Sequence, residues 1–308
     1  MLGLLCFLVL IICILTNSSL AIHYASQGLE LWFTRMIPAL FPFMILSDMM
    51  IRMNLTERIA DFVCPLLRPI LRVRKNVLYA VVIGFLCGYP MGAKVTADLL
   101  SHKKITLREA EFLLSFCNNI GPAYFCGYVL PLLHCRQPVI CLIGMYGIPF
   151  LYGSLLRRLN YRDIAENNRE ASLHGKVRPA EGRGGTSNLF AAMEGAIQNS
   201  GKGILVLGGY MILFNLLNLL FHLVRKQECA LPAPLLEISG GLAMLGGNLP
   251  LYSLVAVSFG GVCCIAQTYS CIKDTGLRLS EYLLHKGVLV ILTAFFYLGC
   301  SLLWPDAF

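Results

Sequence analysis

Residues 1–27 and 138–156 of this chain contain no Asp, Glu, Lys or Arg. A bilayer's hydrocarbon core is crossed by about 20 apolar residues, so runs of this kind read as membrane segments. The whole chain of 308 residues is 57% hydrophobic and only 14% charged. A soluble domain carries about 25% charged residues, too many for this sequence to match, and lipid must therefore solvate much of its surface. The expected fold is all-α, a polytopic membrane bundle of about 7–9 segments.

Those segments are broken by glycine, proline and asparagine. After an apolar first run comes a second segment at 29–51 with Arg35, Pro38, Pro42 and Asp48. A short amphipathic stretch follows, then a segment at 77–100 split by Gly88-Tyr89-Pro90-Met91-Gly92. The next, 111–133, is split by Asn118-Asn119-Ile120-Gly121-Pro122, and 138–156 is unbroken. Residues 157–188 form a charged linker: Arg157 to Ser187 holds seven basic and four acidic residues. Beyond it lie an amphipathic stretch at 189–202, a span at 204–224, a Gly-rich stretch at 235–250, a broken span at 251–272 and a last helix at 287–304. The domain reading is one membrane domain over 1–308. Residues 1–28 are a first transmembrane helix and linker, 29–156 and 189–308 two halves, and 157–188 a cytoplasmic linker. A cleaved secretory signal is the alternative for the N-terminus, but no Lys or Arg precedes the apolar run.

The halves resemble each other at an offset of 172 residues, which lays Gly88 on Gly260. The loops at 68–75, 101–108 and 157–187 are all basic. Placing them on one side satisfies the excess of Lys and Arg on cytoplasmic loops. The 77–100 segment is then re-entrant and the halves are inverted, as in many secondary transporters. This scheme leaves Arg225, Lys226, Lys273 and Arg278 on the opposite side. The formal charge of +8 is explained by those loops, without nucleic acid.

A broken helix in hydrocarbon exposes N–H and C=O groups at several kcal/mol each, unless protein or water satisfies them. Freed N–H groups attract anions and freed carbonyls cations. The candidate binding residues therefore cluster at the breaks: Gly88, Tyr89, Pro90, Gly92, Asn118, Asn119, Gly121, Pro122, Ser239, Gly240, Ser258, Gly260 and Gly261. Gly and Pro that merely let helices pack closely are the competing account. Lys94 and Gln267 join the set as polar side chains at membrane depth. A lysine there costs roughly 2.5–3.5 kcal/mol on insertion scales unless it snorkels to the interface. Tyr89 suits either an aromatic solute or the interface.

No phosphate loop, nucleophile elbow or His-Glu-x-x-His is present, and the 13 cysteines show no Cys-x-x-Cys or zinc spacing. The expectation is a non-enzyme with no metal and no cofactor, in contact with the bilayer, a small anionic substrate and a possible coupling ion. Its oligomeric state is open.

The runs Gly84-Phe-Leu-Cys-Gly-Tyr-Pro-Met-Gly-Ala-Lys94, Leu114-Ser-Phe-Cys-Asn-Asn-Ile-Gly-Pro122, Leu236-Glu-Ile-Ser-Gly-Gly241 and Ser258-Phe-Gly-Gly261 resemble the YlbJ family of sporulation integral membrane proteins. That family belongs to the nucleoside-recognition or Gate-domain membrane proteins and is similar to concentrative nucleoside transporters in its inverted repeat. The resemblance implies a role in spore formation and a place in the mother-cell or outer forespore membrane. It also implies dipicolinate as the transported class. The alternative is a non-transporting scaffold or partner-dependent gate needed for spore assembly.

Overall fold

The computed structural model describes residues 2–53, 55–164, 186–225, 230–304 and 308. All regular elements among them are helices. They are α1 (Leu2–Thr16), α2 (Ser18–Arg52), α3 (Thr56–Leu71), α4 (Lys75–Cys87), α5 (Met91–Ser101), α6 (Leu107–Leu114), α7 (Pro122–Leu133) and α8 (Pro138–Leu159). The second half has α9 (Thr186–Leu216), α10 (Asn218–Arg225), α11 (Ala233–Leu236), α12 (Ile238–Leu245), α13 (Pro250–Phe259), α14 (Gly261–Ile272) and α15 (Leu279–Leu303). Five helical runs are long and apolar enough to cross a bilayer: 18–52, 138–159, 189–224, 250–272 and 279–303. Of the linker expected at 157–188, residues 165–185 lie outside the described residues.

Helix α15 shows why lipid is the solvent. Its buried stripe is Tyr282, Lys286, Leu289, Thr293, Tyr297 and Cys300. Its exposed stripe, Leu284, Ile291, Phe295, Leu298 and Leu302, is wholly apolar, and Phe295 is 70% exposed. A water-soluble helix has the reverse polarity.

Several expected boundaries move. Residues 18–27 are helical and continue into the second segment, so α2 is one helix of 35 residues. The 15 residues of α1 fall short of a full span. The amphipathic stretch at 189–202 and the span after it are one helix, α9, of 31 residues. The reason α2 continues through Pro38 recurs three times. A π-turn lies two residues before a proline at Trp32–Met36 with Pro38, Phe125–Val129 with Pro131, and Ile143–Gly147 with Pro149. The wider turn takes up the missing N–H and the ring clash that would otherwise break the helix.

The true breaks are elsewhere. Helices α4 and α5 form a hairpin whose outer ends meet, with Asn76 donating to the Lys104 carbonyl at 3.4 Å. Other contacts gather at the same end. Lys104 Nζ reaches the carbonyl of Ile51 at 2.8 Å, and Arg74 Nε reaches Glu109 at 2.7 Å. Arg157 donates to the carbonyls of Arg72 and Ile164 at 2.8 Å, while Arg108 stacks on Tyr161 with its guanidinium 4.2 Å from the ring centre. Glu109 closes a capping box with Thr106 at the start of α6. The basic segments around 72–76, 104–109 and 157 thus share one end of the bundle. Gly276 sits beside Leu107, and Leu277 belongs to the same core cluster as Ile105. This places the 273–278 loop at that end too, and corrects the expectation that Lys273 and Arg278 lie opposite. The reason is that 250–272 traverses the bundle through a broken helix, where the 172-residue offset had matched it to a re-entrant segment. At the far end, Gly247 packs on the Leu132 carbonyl, and Tyr24 of α2 meets His222 of α10 at 3.4 Å.

Candidate functional site

The breaks cross in pairs at the bundle's centre. At the first crossing, α4 ends at Gly88, with φ of 83°, and the chain passes directly over the break between α6 and α7. A Cβ on Gly88 would overlap the Gly121 nitrogen, and one on Gly92 the Cys117 carbonyl. The Tyr89–Pro90 peptide is cis. At the second crossing, the α11–α12 break at Glu237 passes over the α13–α14 joint. Gly241 abuts Pro234, and Gly261 faces the carbonyls of Pro234 and Leu236.

Side chains bind the crossings together. Tyr89 donates from its hydroxyl to the Ser258 carbonyl at 3.1 Å, and its ring lies against Gly260. Asn118 donates to Thr268 at 2.8 Å and to Tyr282 at 3.2 Å, and its side-chain oxygen accepts from Ala93 N at 3.3 Å. Lys286, 2% exposed, donates to the Tyr89 hydroxyl and to the Asn118 carbonyl at 3.3 Å. Glu237, 3% exposed, caps α12 by accepting from Ser239 N at 3.0 Å and Gly240 N at 2.7 Å. It also accepts from Asn215 at 3.0 Å.

Two cavities flank this knot. One, of about 50 Å³, lies between the crossings and the long helices α2 and α9, with Tyr89, Tyr124, Glu237, Ser239, Cys264 and Gln267 on its walls. Tyr124 and Ser239 of this lining carry buried hydroxyls with no hydrogen-bond partner among the described residues. It has room for a few waters. The other, of about 240 Å³, is lined by Lys94, Asp98, Asn199, Lys202, Tyr210 and Gln267. Gln267 and Leu207 are common to both walls.

The residues singled out from sequence divide accordingly. Tyr89, Gly121, Ser239 and Gln267 line the small cavity. Pro90 and Lys94, with Gln267, line the large one, where Lys94 pairs with Asp98 at 3.2 Å. Gly88, Gly92 and Gly261 make the close backbone approaches, while Gly240 lies against the Asn215 side chain and Gly260 against the Tyr89 ring. Pro122 opens α7, and Ser258 hydrogen-bonds Thr293 at 3.3 Å. The two asparagines, expected as donors to a solute, spend their amides on the protein: Asn119 donates to the Phe116 carbonyl at 2.6 Å. A nonhelical stretch in hydrocarbon must satisfy its own backbone first.

Sequence reasoning passed over Glu237, Lys286 and Lys202. Glu237 stood in a quoted run, and an acceptor just before Ile-Ser-Gly-Gly is the pattern of a helix N-cap. Lys286 was missed because the last helix was expected to begin one residue later, which left the lysine as a flank. Lys202 was taken as the end of a short amphipathic stretch, whereas α9 carries it to a cavity wall.

The fold and its broken helices define a multi-pass, all-α integral membrane protein with a buried polar centre. Similarity narrows the class: the sporulation integral membrane protein YlbJ of Bacillus subtilis (strain 168) is 26% identical over 235 residues, covering 72% of this chain. The matched region is 57% of that relative's length. No family model matches the chain and no solved structure does.

Proposed function

We propose that this chain is a secondary transporter or facilitator of a small anionic metabolite in the sporulating cell, with dipicolinate as its cargo. The observation that carries the reading is the 240 Å³ cavity bearing Lys94 and Lys202 beside the crossed breaks. The wall carries Lys94, Lys202 and Asp98, which pairs with Lys94, so its charge is net positive and suits an anion, and Asn199, Tyr210 and Gln267 offer hydrogen bonds around an aromatic ring. A protein concerned with sporulation is what the similar relative's name describes. The membrane in question is the mother-cell or outer forespore membrane.

The halves are proposed to be inverted repeats, matched by element order. The hairpin α4–α5 then corresponds to α11–α12, the broken pair α6–α7 to α13–α14, and α8 to α15. Gly88 corresponds to the Glu237 break under this register, and Gly121 to Gly260. Each half contributes one crossing, and relative movement of the halves would open the central cavities to either side in turn.

Purified protein in liposomes tests the proposal through uptake of labelled dipicolinate. Lys94→Ala and Lys202→Ala should each lower uptake about 10-fold or more, the worth of one charge-assisted hydrogen bond of about 1.5–3 kcal/mol. Uptake unchanged in both would sink the site assignment. Absence of uptake by the unaltered protein would favour the scaffold or partner-dependent gate.

A further inference from the structure

Lys286 is a buried lysine in the middle of the knot, and no ion pair joins it to a carboxylate among the described residues. Its surroundings are those of a bound cation. The Asn118 carbonyl belongs to the nonhelical stretch between α6 and α7, so no helical N–H engages it, and the lysine does so at 3.3 Å. The Tyr89 hydroxyl takes a second ammonium bond, which holds the nitrogen at the hydroxyl end of the ring, 4.5 Å from its centre. Freed carbonyls of broken membrane helices commonly hold sodium.

We infer that Lys286 is a tethered cation, standing where a broken-helix transporter would bind a coupling sodium ion. It ties α15 to both members of the first crossing, so the crossing is held together without a dissolved ion. The inference deepens the transport reading by stating which ion the carrier does without, while the site itself is testable in the absence of transport.

The experiment compares the purified full chain with Lys286→Ala and Lys286→Gln by thermal unfolding in sodium chloride and in choline chloride of equal ionic strength. The unaltered protein should melt at the same temperature, within about 1 °C, in both salts. Lys286→Ala should melt lower in choline and recover by about 3 °C or more in 100 mM sodium, because the vacated carbonyl and hydroxyl oxygens now take the ion. If the alanine variant does not fold, the glutamine variant, which leaves room beside its shorter amide, carries the same comparison. Sodium stabilisation of the unaltered protein would overturn the inference. So would a folded variant that is indifferent to sodium. Liposome uptake by the unaltered protein should persist when sodium is replaced by choline. Loss of uptake on that replacement alone would also overturn it, whereas no uptake in either salt fails the transport reading and leaves the melting result standing.

Discussion

Gly88→Ala is expected to destabilise the folded chain by about 2–6 kcal/mol, combining a penalty of about 1–3 for a positive-φ extended backbone that essentially only glycine adopts with overpacking of about 1–3 kcal/mol. The added methyl would meet the Gly121 nitrogen, which is backbone and cannot rotate away as a side-chain tip can. Both strands of the crossing would have to part, exposing the freed groups of residues 115–121 that the contact shields. Gly209→Ala is the control. It is a helical glycine of α9 with nothing within 4 Å of its would-be Cβ, so the change should be neutral or stabilising by up to about 1 kcal/mol. Thermal unfolding in detergent separates the two. Equal midpoints would show that the crossing is not a close backbone contact.

The second large effect belongs to Glu237. Its carboxylate accepts three hydrogen bonds, two of them from the first backbone N–H groups of α12. Glu237→Ala leaves those donors in a nearly dry site and should cost about 3 kcal/mol, above a typical N-cap loss of about 1 because the acceptor is charged and buried. Glu237→Gln keeps one side-chain oxygen but turns an amide donor toward other donors, and should fall between the two. Melting temperatures in the order unaltered, Glu237→Gln, Glu237→Ala are therefore expected. An alanine variant as stable as the unaltered protein would remove Glu237 from any role in holding the α11–α12 break.

These two residues mark how far the site was legible. Gly88 was found from sequence because a glycine before Tyr-Pro inside an apolar run has few other uses. Glu237 was overlooked as a site residue because a lone carboxylate beside an apolar run reads equally well as a loop charge. Only burial and the geometry of three donors separate the readings. Pro38, Pro131 and Pro149 each lie just after a π-turn that lets the helix continue, a device the sequence does not announce. Helix α9 was divided in two because its first turns are polar and its later ones apolar. Hydrogen bonding does not register that change of face.

The sequence by itself determined the solvent and the weak points. Long uncharged runs demanded lipid, and Gly-Tyr-Pro, Asn-Asn-Ile-Gly-Pro and Phe-Gly-Gly named places where a helix would fail. Both follow from local chemistry, since charge and backbone freedom are properties of single residues and their neighbours. The tertiary structure alone decided which breaks cross, placing Gly88 on Gly121 and Gly261 on the α11–α12 turn. It also put Lys94 in a cavity wall, turned both asparagines inward and brought Lys286 onto a freed carbonyl. Those pairings join residues far apart in the chain, and what selects them is the need of every unpaired polar group in hydrocarbon to find a partner. That demand can be read in the sequence, but its solution exists only in three dimensions.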